Sequence, residues 1–184
     1  MTEGEARTPE EQLRSQRAAL ADFGLFAFRC DRIDELLHRA SELVSDAMGV
    51  PLVKMLEHVP ERREMLLRSG VNWEPGVVGH ETFGDHERSP GGYALRAEQP
   101  VVSPDLDAEE RFRIPDVLVR HGVKSMVNVI IAGEQAPFGI LEVDAREKRD
   151  FGEDDVAFLR TYANLLAAAI ERLRTHDELH RTAR

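Results

Sequence analysis

The chain has 184 residues, of which 42% are hydrophobic, and this is enough for one domain with one core. Its 34 acidic residues outnumber its 24 basic ones, and the formal charge of −10 excludes a general electrostatic attraction to nucleic acid or to an anionic membrane. The single cysteine, Cys30, excludes an internal disulfide, and a charged N-terminal sequence with no long apolar run in the chain predicts a cytoplasmic protein.

The first predicted helix begins at the sequence TPEE, residues 8–11. Threonine is a favoured cap, proline suits the first helical position, and acids suit the positive end of the helix dipole. We expect this helix to end near Ala21 and to be followed by an apolar hinge at 22–30. Residues 1–30 would then form an N-terminal extension.

A second helix is predicted between Asp31, as its cap, and Gly49, with Pro51 beyond it. Its apolar residues recur at helical spacing: Ile33, Leu36, Leu37, Ala40, Leu43, Val44 and Ala47. The pattern indicates a helix with one buried face.

The middle of the chain favours strands. Strands are predicted at 52–58, 64–69, 101–102, 124–131 and 137–144, with a short helix at about 115–121 that ends at Gly122. The last two strands are expected to form a hairpin around residues 132–135. Residues 70–92 are expected to be mostly loop.

The stretch SPGGYALRAEQPVV, residues 89–102, contains two adjacent glycines at the start of a predicted short helix. Such a start can bind a phosphate, or the glycines can simply allow a turn and close packing. No nucleotide-binding glycine motif is present, and no lysine follows. We favour the packing interpretation and leave direct ligand contact open.

The last helix carries a regular apolar pattern. Six apolar residues recur at spacings of 3, 4, 3, 4 and 3, and we call them the apolar seam: Val156, Leu159, Ala163, Leu166, Ile170 and Leu173. A second stripe lies beside it: Phe158, Tyr162, Leu165 and Ala169. Together the two stripes present more apolar surface than one sheet face covers. We therefore expect a homodimer in which the seam faces a partner helix, with a wide contact to the chain's own core as the alternative.

Several local sequences, in this order, resemble a GAF domain over about residues 31–174. They are LLHRASELVSDAMGV, the glycine-containing stretch with DLDAEERF after it, HGVKSMVNVIIAGEQAPFGILEV, and FGEDDVAFLRTYANLLAAAIE. The resemblance implies an α+β, GAF-like (profilin-like) fold. Its central antiparallel sheet would have five or six strands, with terminal helices on one face and a pocket enclosed by short helices and loops on the other. Residues 175–184 would extend the last helix.

Branches of the GAF family carry different chemistry. Bilin-binding members attach the chromophore to a cysteine at a position that here corresponds to Arg113, so no covalent bilin is expected. Members that reduce free methionine sulfoxide need several cysteines, and this chain has only Cys30. Cyclic-nucleotide-binding members have an Asn-Lys pair that is missing from VDAREKRDFGEDDV, although Phe151 and Asp155 match.

The resemblance implies a sensory or regulatory module that binds an unidentified small ligand and signals through the geometry of its terminal helices, as in two-component signalling. A homodimer and a separate partner such as a histidine kinase would complete that function, with no direct contact to nucleic acid or membrane. The candidate ligand-binding residues are Tyr93, Phe112, Arg113 and Asn128, because the resemblance places them around the pocket.

Two other functions stay open. His80, Asp85 and His86 are residue types that hold zinc or iron, so a metal-dependent enzyme is one alternative, although their spacing matches no standard site. The other is a ligand-free dimerisation module, which a pocket filled by its own side chains would indicate. We assign no catalytic residue and no metal ligand.

Overall fold

The computed structural model describes residues 7–182 as five α-helices, six β-strands and two short 3-10 turns. In chain order the helices and strands are α1 (Pro9–Arg29), α2 (Ile33–Met48), β1 (Leu52–Val59), β2 (Glu64–Val71), β3 (Thr82–Gly84), α3 (Pro90–Ala97), β4 (Val101–Ser103), α4 (Asp116–Arg120), β5 (Ser125–Ile131), β6 (Gly139–Ala145) and α5 (Glu153–Thr182). The turns are Pro60–Arg62 and Leu106–Ala108.

The six strands form one sheet in the order β3-β2-β1-β6-β5-β4, and every neighbouring pair is antiparallel. This confirms the predicted α+β fold with a central antiparallel sheet. Strands β1 and β6 lie in the middle, so their side chains are buried on both faces. This explains why the sequences of β1 and β6 do not alternate regularly between apolar and polar residues, as strands with one solvent-exposed face do.

One face of the sheet, which we call the helix face, packs against α1, α2 and α5. Its apolar side chains come from alternate positions of the central strands: Val53, Met55, Val127, Val129, Leu141 and Val143. The opposite face, which we call the pocket face, carries Leu52, Leu56, Met126 and Ile140 and packs against α3, α4 and the loops near them. The two cores are separate because side chains alternate along each strand.

Helix α1 runs without interruption to Arg29, so the hinge predicted at 22–30 is wrong. The predicted cap is confirmed: the Thr8 hydroxyl accepts from the Glu11 amide, and the Glu11 carboxylate accepts from the Thr8 amide. The helix continues because Phe23 and Ala27, one turn apart, are buried in the core. Gly24 lies on the outer side of α1, where its missing side chain leaves no cavity.

Because α1 extends further than predicted, α2 begins later. Its N-cap is Arg32, which makes no side-chain capping bond, so the prediction of Asp31 as the cap is also wrong. Gly49 ends α2 in the left-handed conformation, as predicted (φ 62°). Of the predicted extensions 1–30 and 175–184, residues 1–6 and 183–184 lie outside the described residues.

The apolar seam of α5 packs inside its own chain. Leu159, Ala163 and Leu166 are fully buried, Ile170 and Leu173 are nearly so, and Val156 is half-buried. The expectation that this seam faces a partner is therefore wrong. The periodicity showed that the stripe is buried but could not show which surface buries it.

Helix α1 covers part of the second stripe of α5. The ring of Phe23 stacks on that of Tyr162 with centroids 4.7 Å apart, and Phe158 lies 5.6 Å from Tyr162. Near the end of α1, Arg172 of α5 donates to the carbonyl oxygens of Ala27 (2.9 Å) and Cys30 (2.6 Å). Most of the excess apolar surface of α5 is thus buried within the chain, while Leu165 stays exposed.

Helices α1 and α5 also have an outer surface that no part of the described chain covers. Phe28 is 80% exposed and Leu25 56% exposed, and they lie one turn apart on α1. Leu165 of α5 is 41% exposed. In residues 7–182 no helix is long and apolar enough to cross a membrane.

Candidate functional site

The pocket face of the sheet carries charged and polar side chains that are buried. Lys54 of β1 pairs in register with Glu142 of β6, which pairs in turn with Asn128 of β5. Asp144 lies two residues after Glu142 and therefore points to the same face. All four side chains are at most 1% exposed. Buried residues of these types are rare, and each needs a partner.

Lys54, Glu142 and Asp144 form a network that we call the buried triad. The Lys54 ammonium donates to Asp144 Oδ2 at 2.8 Å and also donates to Glu142 Oε1. The same nitrogen lies 5.0 Å from the ring centroid of Trp73, whose indole N–H donates to the Val53 carbonyl. One cation is therefore held by two carboxylates and the face of an aromatic ring.

The triad shifts the pKa of two of its members. Burial lowers the pKa of Lys54, but the charges and hydrogen bonds of Asp144 and Glu142 outweigh burial and leave it raised. Burial raises the pKa of Glu142 well above its usual value, and the neighbouring Asp144 raises it further, against the opposing effect of Lys54. Both shifts arise because one ammonium and two carboxylates are buried together.

Three buried polar atoms of this face make no hydrogen bond within the described chain. They are the amide nitrogen and oxygen of Asn128 and the Oδ1 atom of Asp144. An unpaired buried polar atom costs about 1–3 kcal/mol, so folded proteins contain few of them. These three atoms can therefore still bond a further group, either a water molecule or a ligand.

A small cavity borders Lys54 and Glu142 of the triad but is not lined by Asn128 or Asp144. It is lined by Lys54, Leu56, Phe83, Pro90, Gly91, Pro115, Leu118 and Glu142 and has a free volume of about 10 Å³. That is about enough for one water molecule. A larger ligand can enter only if the covering layer moves.

The covering layer is attached to the rest of the chain by a few polar contacts near α4. The His121 ring donates from Nδ1 to the Val117 carbonyl (2.7 Å) and accepts at Nε2 from the Glu74 amide (3.1 Å). Arg120 bonds the Glu74 carboxylate at 3.0 Å, and both of those side chains are about half exposed. An exposed pair of this kind contributes little stability, so the buried side chains of Val117 and Leu118 supply most of the attachment of α4.

The structure brings together some of the predicted site residues. Asn128 lies beside the buried triad, in register with Glu142, but does not line the small cavity. Tyr93 and Phe112 lie next to each other, with ring centroids 5.8 Å apart, and pack into the pocket-face core. Arg113 is exposed, and only its backbone amide makes a contact, to the Arg88 carbonyl. Nothing in its surroundings connects Arg113 to the cavity.

Arg111, rather than Arg113, contacts the two rings. Its guanidinium lies 5.7 Å from the Tyr93 ring centroid and 5.5 Å from that of Phe112. Glu109 accepts from the same guanidinium, and these bonds, with one from Ser103, lower the pKa of Glu109 to about 2. Because Glu109 neutralises Arg111, this cluster holds the segment after β4 in place and offers little charge to a ligand.

Lys54, Glu142 and Asp144 were not among the predicted site residues. The available signal was the sequence GILEVDA, in which two acids occupy alternate positions of a strand that is otherwise apolar. Lys54 shows the same signal in LVKML. A charged side chain within an apolar central strand marks a buried polar site.

Among the described residues, the structure does not bring His80, Asp85 and His86 together as a metal site. Asp85 contacts His58 (3.1 Å) and Arg63 (3.8 Å), and the His58 bond is the main reason that the pKa of Asp85 is lowered. His80 and His86 are exposed. Within residues 7–182, no three His, Cys, Asp or Glu side chains are close enough to hold a metal ion.

The two glycines of the 89–102 stretch allow close packing. The Ser89 hydroxyl caps α3 by accepting from the Gly92 amide at 3.0 Å. A Cβ atom at Gly91 would lie 2.7 Å from the sulfur of Met65, and one at Gly92 would overlap the backbone oxygen of His86. These neighbours fill the start of α3, which supports the packing interpretation.

The sequence model of the GAF domain matches residues 32–170. No curated protein sequence matches the chain significantly.

Several solved structures are similar to this chain. The GAF domain of a phosphoenolpyruvate-protein phosphotransferase from Coxiella burnetii has a TM-score of 0.81 and 17% identity, covering 90% of this chain and 98% of that one. The free methionine-R-sulfoxide reductase from Neisseria meningitidis, in complex with its substrate, has a TM-score of 0.78 and 18% identity, covering 93% and 96%. Residues 122 to 287 of a methyl-accepting chemotaxis protein give 0.72 and 20%, covering 83% and 97%.

Proposed function

The chain belongs to the GAF domain family, and we propose that it is a sensory or regulatory module that binds a small molecule at the pocket face of its sheet. The observation that carries this proposal is the set of three unpaired buried atoms on Asn128 and Asp144. A pocket that only packed against itself would gain about 1–3 kcal/mol per atom by pairing or replacing them.

Binding would act by shifting a population between a closed and an open pocket. The closed form leaves room for about one water molecule, so a ligand stabilises the form in which α4 and its neighbours have moved away. The ligand can shift this equilibrium only by the ratio of its affinities for the open and closed forms.

The signal would reach the helices through the two strands that carry the polar residues. Asn128 lies between Val127 and Val129, and Glu142 lies between Leu141 and Val143, all of which pack on the helix face. A shift of β5 on the pocket side would therefore change the packing beneath α5, which contacts that strand. The strands are rigid and closely packed on both faces, which suits them to transmit a small displacement.

We further propose that the output is a change in a homodimer, now through the outer surface of α1 and α5 instead of the apolar seam. Phe28, Leu25 and Leu165 supply exposed apolar area there, and covering a leucine or phenylalanine contributes about 1.5–3 kcal/mol. A separate signalling protein, such as a histidine kinase of a two-component system, would read that change. The proposed location is the cytoplasm.

The test begins with protein purified in one step and then denatured. Mass spectrometry should find a released small molecule, and an absorbance scan should show whether it is coloured. Replacing Asn128 by leucine should lower the amount released, because it removes both unpaired amide atoms. Asn164→Leu, an exposed position on α5, is the matched control and should leave the amount unchanged.

Asn128→Leu should also raise the free energy of unfolding by about 1–3 kcal/mol, since a buried unpaired amide is lost. A stabilised variant that binds less ligand is the expected signature of a functional residue. If no preparation releases a small molecule and Asn128→Leu changes only stability, the ligand-sensing proposal is wrong.

One observation favours a second candidate, a dimerisation module without a ligand. The cavity is almost filled by its own side chains, among them Leu56, Phe83 and Leu118. In that case light scattering should find a dimer at tens of micromolar although no small molecule is released.

A further inference from the structure

With both carboxylates ionised, the charges of the buried triad do not balance. Two carboxylates, Glu142 and Asp144, face one ammonium, Lys54, and all three side chains are at most 1% exposed. Within the described residues neither carboxylate has an ion-pair contact to any other lysine, arginine or histidine. Burying an uncompensated negative charge is costly, so the site favours whatever supplies a second positive charge.

The free atoms of the site agree with this charge. Asp144 uses Oδ2 to bind Lys54, and its Oδ1 atom is buried and unpaired. A carboxylate oxygen can only accept, so its missing partner is a donor. The Asn128 amide offers both an unpaired donor and an unpaired acceptor, and register places it next to Glu142.

An anionic ligand does not fit these groups. Among the described residues, Lys54 is the only cation that pairs with the triad carboxylates, and both already share it; a phosphate or carboxylate would meet Asp144 Oδ1 with like charge. A neutral ligand could pair with Asn128 but would leave the charge uncompensated. The remaining lining, with Leu56, Phe83 and Leu118, is apolar.

We propose that the pocket binds a small organic cation, whose protonated amine donates to Asp144 Oδ1 while a neighbouring polar group pairs with the Asn128 amide and an apolar part contacts Leu56, Phe83 and Leu118. This inference rests on the proposed ligand-sensing function and names the class of ligand. The raised pKa of Glu142 agrees with it, because burial and the neighbouring Asp144 both disfavour the ionised form of Glu142 and a cation would favour it.

The test uses three probes of similar shape and different charge: leucinol, a protonated amine with a hydroxyl group; 4-methylpentan-1-ol, which is neutral; and 4-methylpentanoate, an anion. Each is titrated to about 10 mM into ¹⁵N-labelled protein, a range that detects dissociation constants in the millimolar region. The backbone amides of residues 128, 142 and 144 report binding. Leucinol should shift them with an affinity at least about tenfold higher than that of the alcohol, and the anion should not shift them.

Two variants then remove the excess charge without changing shape. Glu142→Gln and Asp144→Asn should each weaken leucinol binding at least about tenfold, since a cation would no longer meet two carboxylates. Glu178→Gln, at an exposed carboxylate near the end of α5, controls for weak attraction to the acidic surface and should change nothing. If circular dichroism shows that both pocket variants are unfolded, the charge preference of the unmodified protein decides.

Three outcomes overturn the inference. Equal or better binding of the alcohol or the anion at the same amides refutes the preference for cations and leaves the ligand-sensing function intact. If leucinol changes the chemical shifts of other residues only, or if its effect persists in both folded pocket variants, the cation binds elsewhere on the acidic surface. If none of the probes shifts these amides, the inference fails, and a small molecule released from purified protein then decides whether the sensing function stands.

Discussion

Leu165 and Leu166 are adjacent on α5 but have opposite environments, and replacing each by alanine tests the course of that helix. Leu166 is fully buried in the helix-face core, whereas Leu165 is 41% exposed. Alanine and leucine have similar helix propensities, so the two substitutions differ mainly in the burial that they remove. The pair therefore measures which stripe of α5 the chain itself covers.

The expected losses differ several-fold. Leu166→Ala removes a buried side chain and leaves a cavity, which lowers the free energy of unfolding by about 2–5 kcal/mol. Leu165→Ala should lower the stability of the monomer by less than about 0.5 kcal/mol, as for other surface substitutions. Against a typical total of about 5–15 kcal/mol, the first loss is large and the second is close to the error of measurement.

Urea unfolding followed by circular dichroism measures both losses. With a slope of about 1–3 kcal/mol per molar urea, Leu166→Ala should lower the midpoint by about 1 M or more. Repeating the titration at several protein concentrations separates folding from association. Equal losses at the two positions, or a loss at Leu166 that disappears on dilution, would show that a second copy covers the seam and would refute the packing described here.

Three further predictions concern the dimer, the α3 glycines and the triad. The double substitution Leu25→Glu and Phe28→Glu should convert a dimer into a folded monomer, as measured by light scattering at tens of micromolar. The control Val119→Glu, at an exposed position on α4, should leave the dimer intact. If the dimer survives the double substitution, its interface lies on another surface. Gly92→Ala should lower the melting temperature, at a cost of about 1–3 kcal/mol, because its Cβ meets the His86 backbone, while Gly152→Ala has open space and should have little effect; equal shifts would contradict the close packing of α3. Because the pKa of Glu142 is raised in the folded protein, the unfolded chain loses this proton first, so stability falls as the pH rises above about 4.5. Glu142→Gln should reduce that fall in melting temperature between about pH 5 and 8, and an unchanged slope would assign the pH dependence to other groups.

Local chemistry in the sequence was sufficient to predict most elements of the fold. The cap at Thr8 and the end of α2 at Gly49 follow from residues within one turn of each boundary. The strand hairpin of β5 and β6 follows from two apolar runs joined by a short polar turn. These features depend on neighbours in the chain, so the sequence alone contains the information.

The boundary between α1 and α2 was harder to predict. Residues 22–30 contain a glycine and three phenylalanines, which the sequence analysis interpreted as a hinge. The segment is helical because Phe23 and Ala27 pack in the core, where Phe23 stacks on Tyr162, a residue far away in the chain. A contact over such a distance overrides local propensity, and no local pattern reveals it.

By itself, then, the sequence determined the order and type of most elements, the apolar stripes of α5 and, through the family resemblance, the antiparallel sheet. The tertiary structure decided that the apolar seam is buried within its own chain, because periodicity shows that a face is buried but not what buries it. It also decided the composition of the site. Lys54, Glu142, Asp144 and Asn128 come from three strands, and only the register of those strands places two carboxylates around one ammonium beside an unpaired amide.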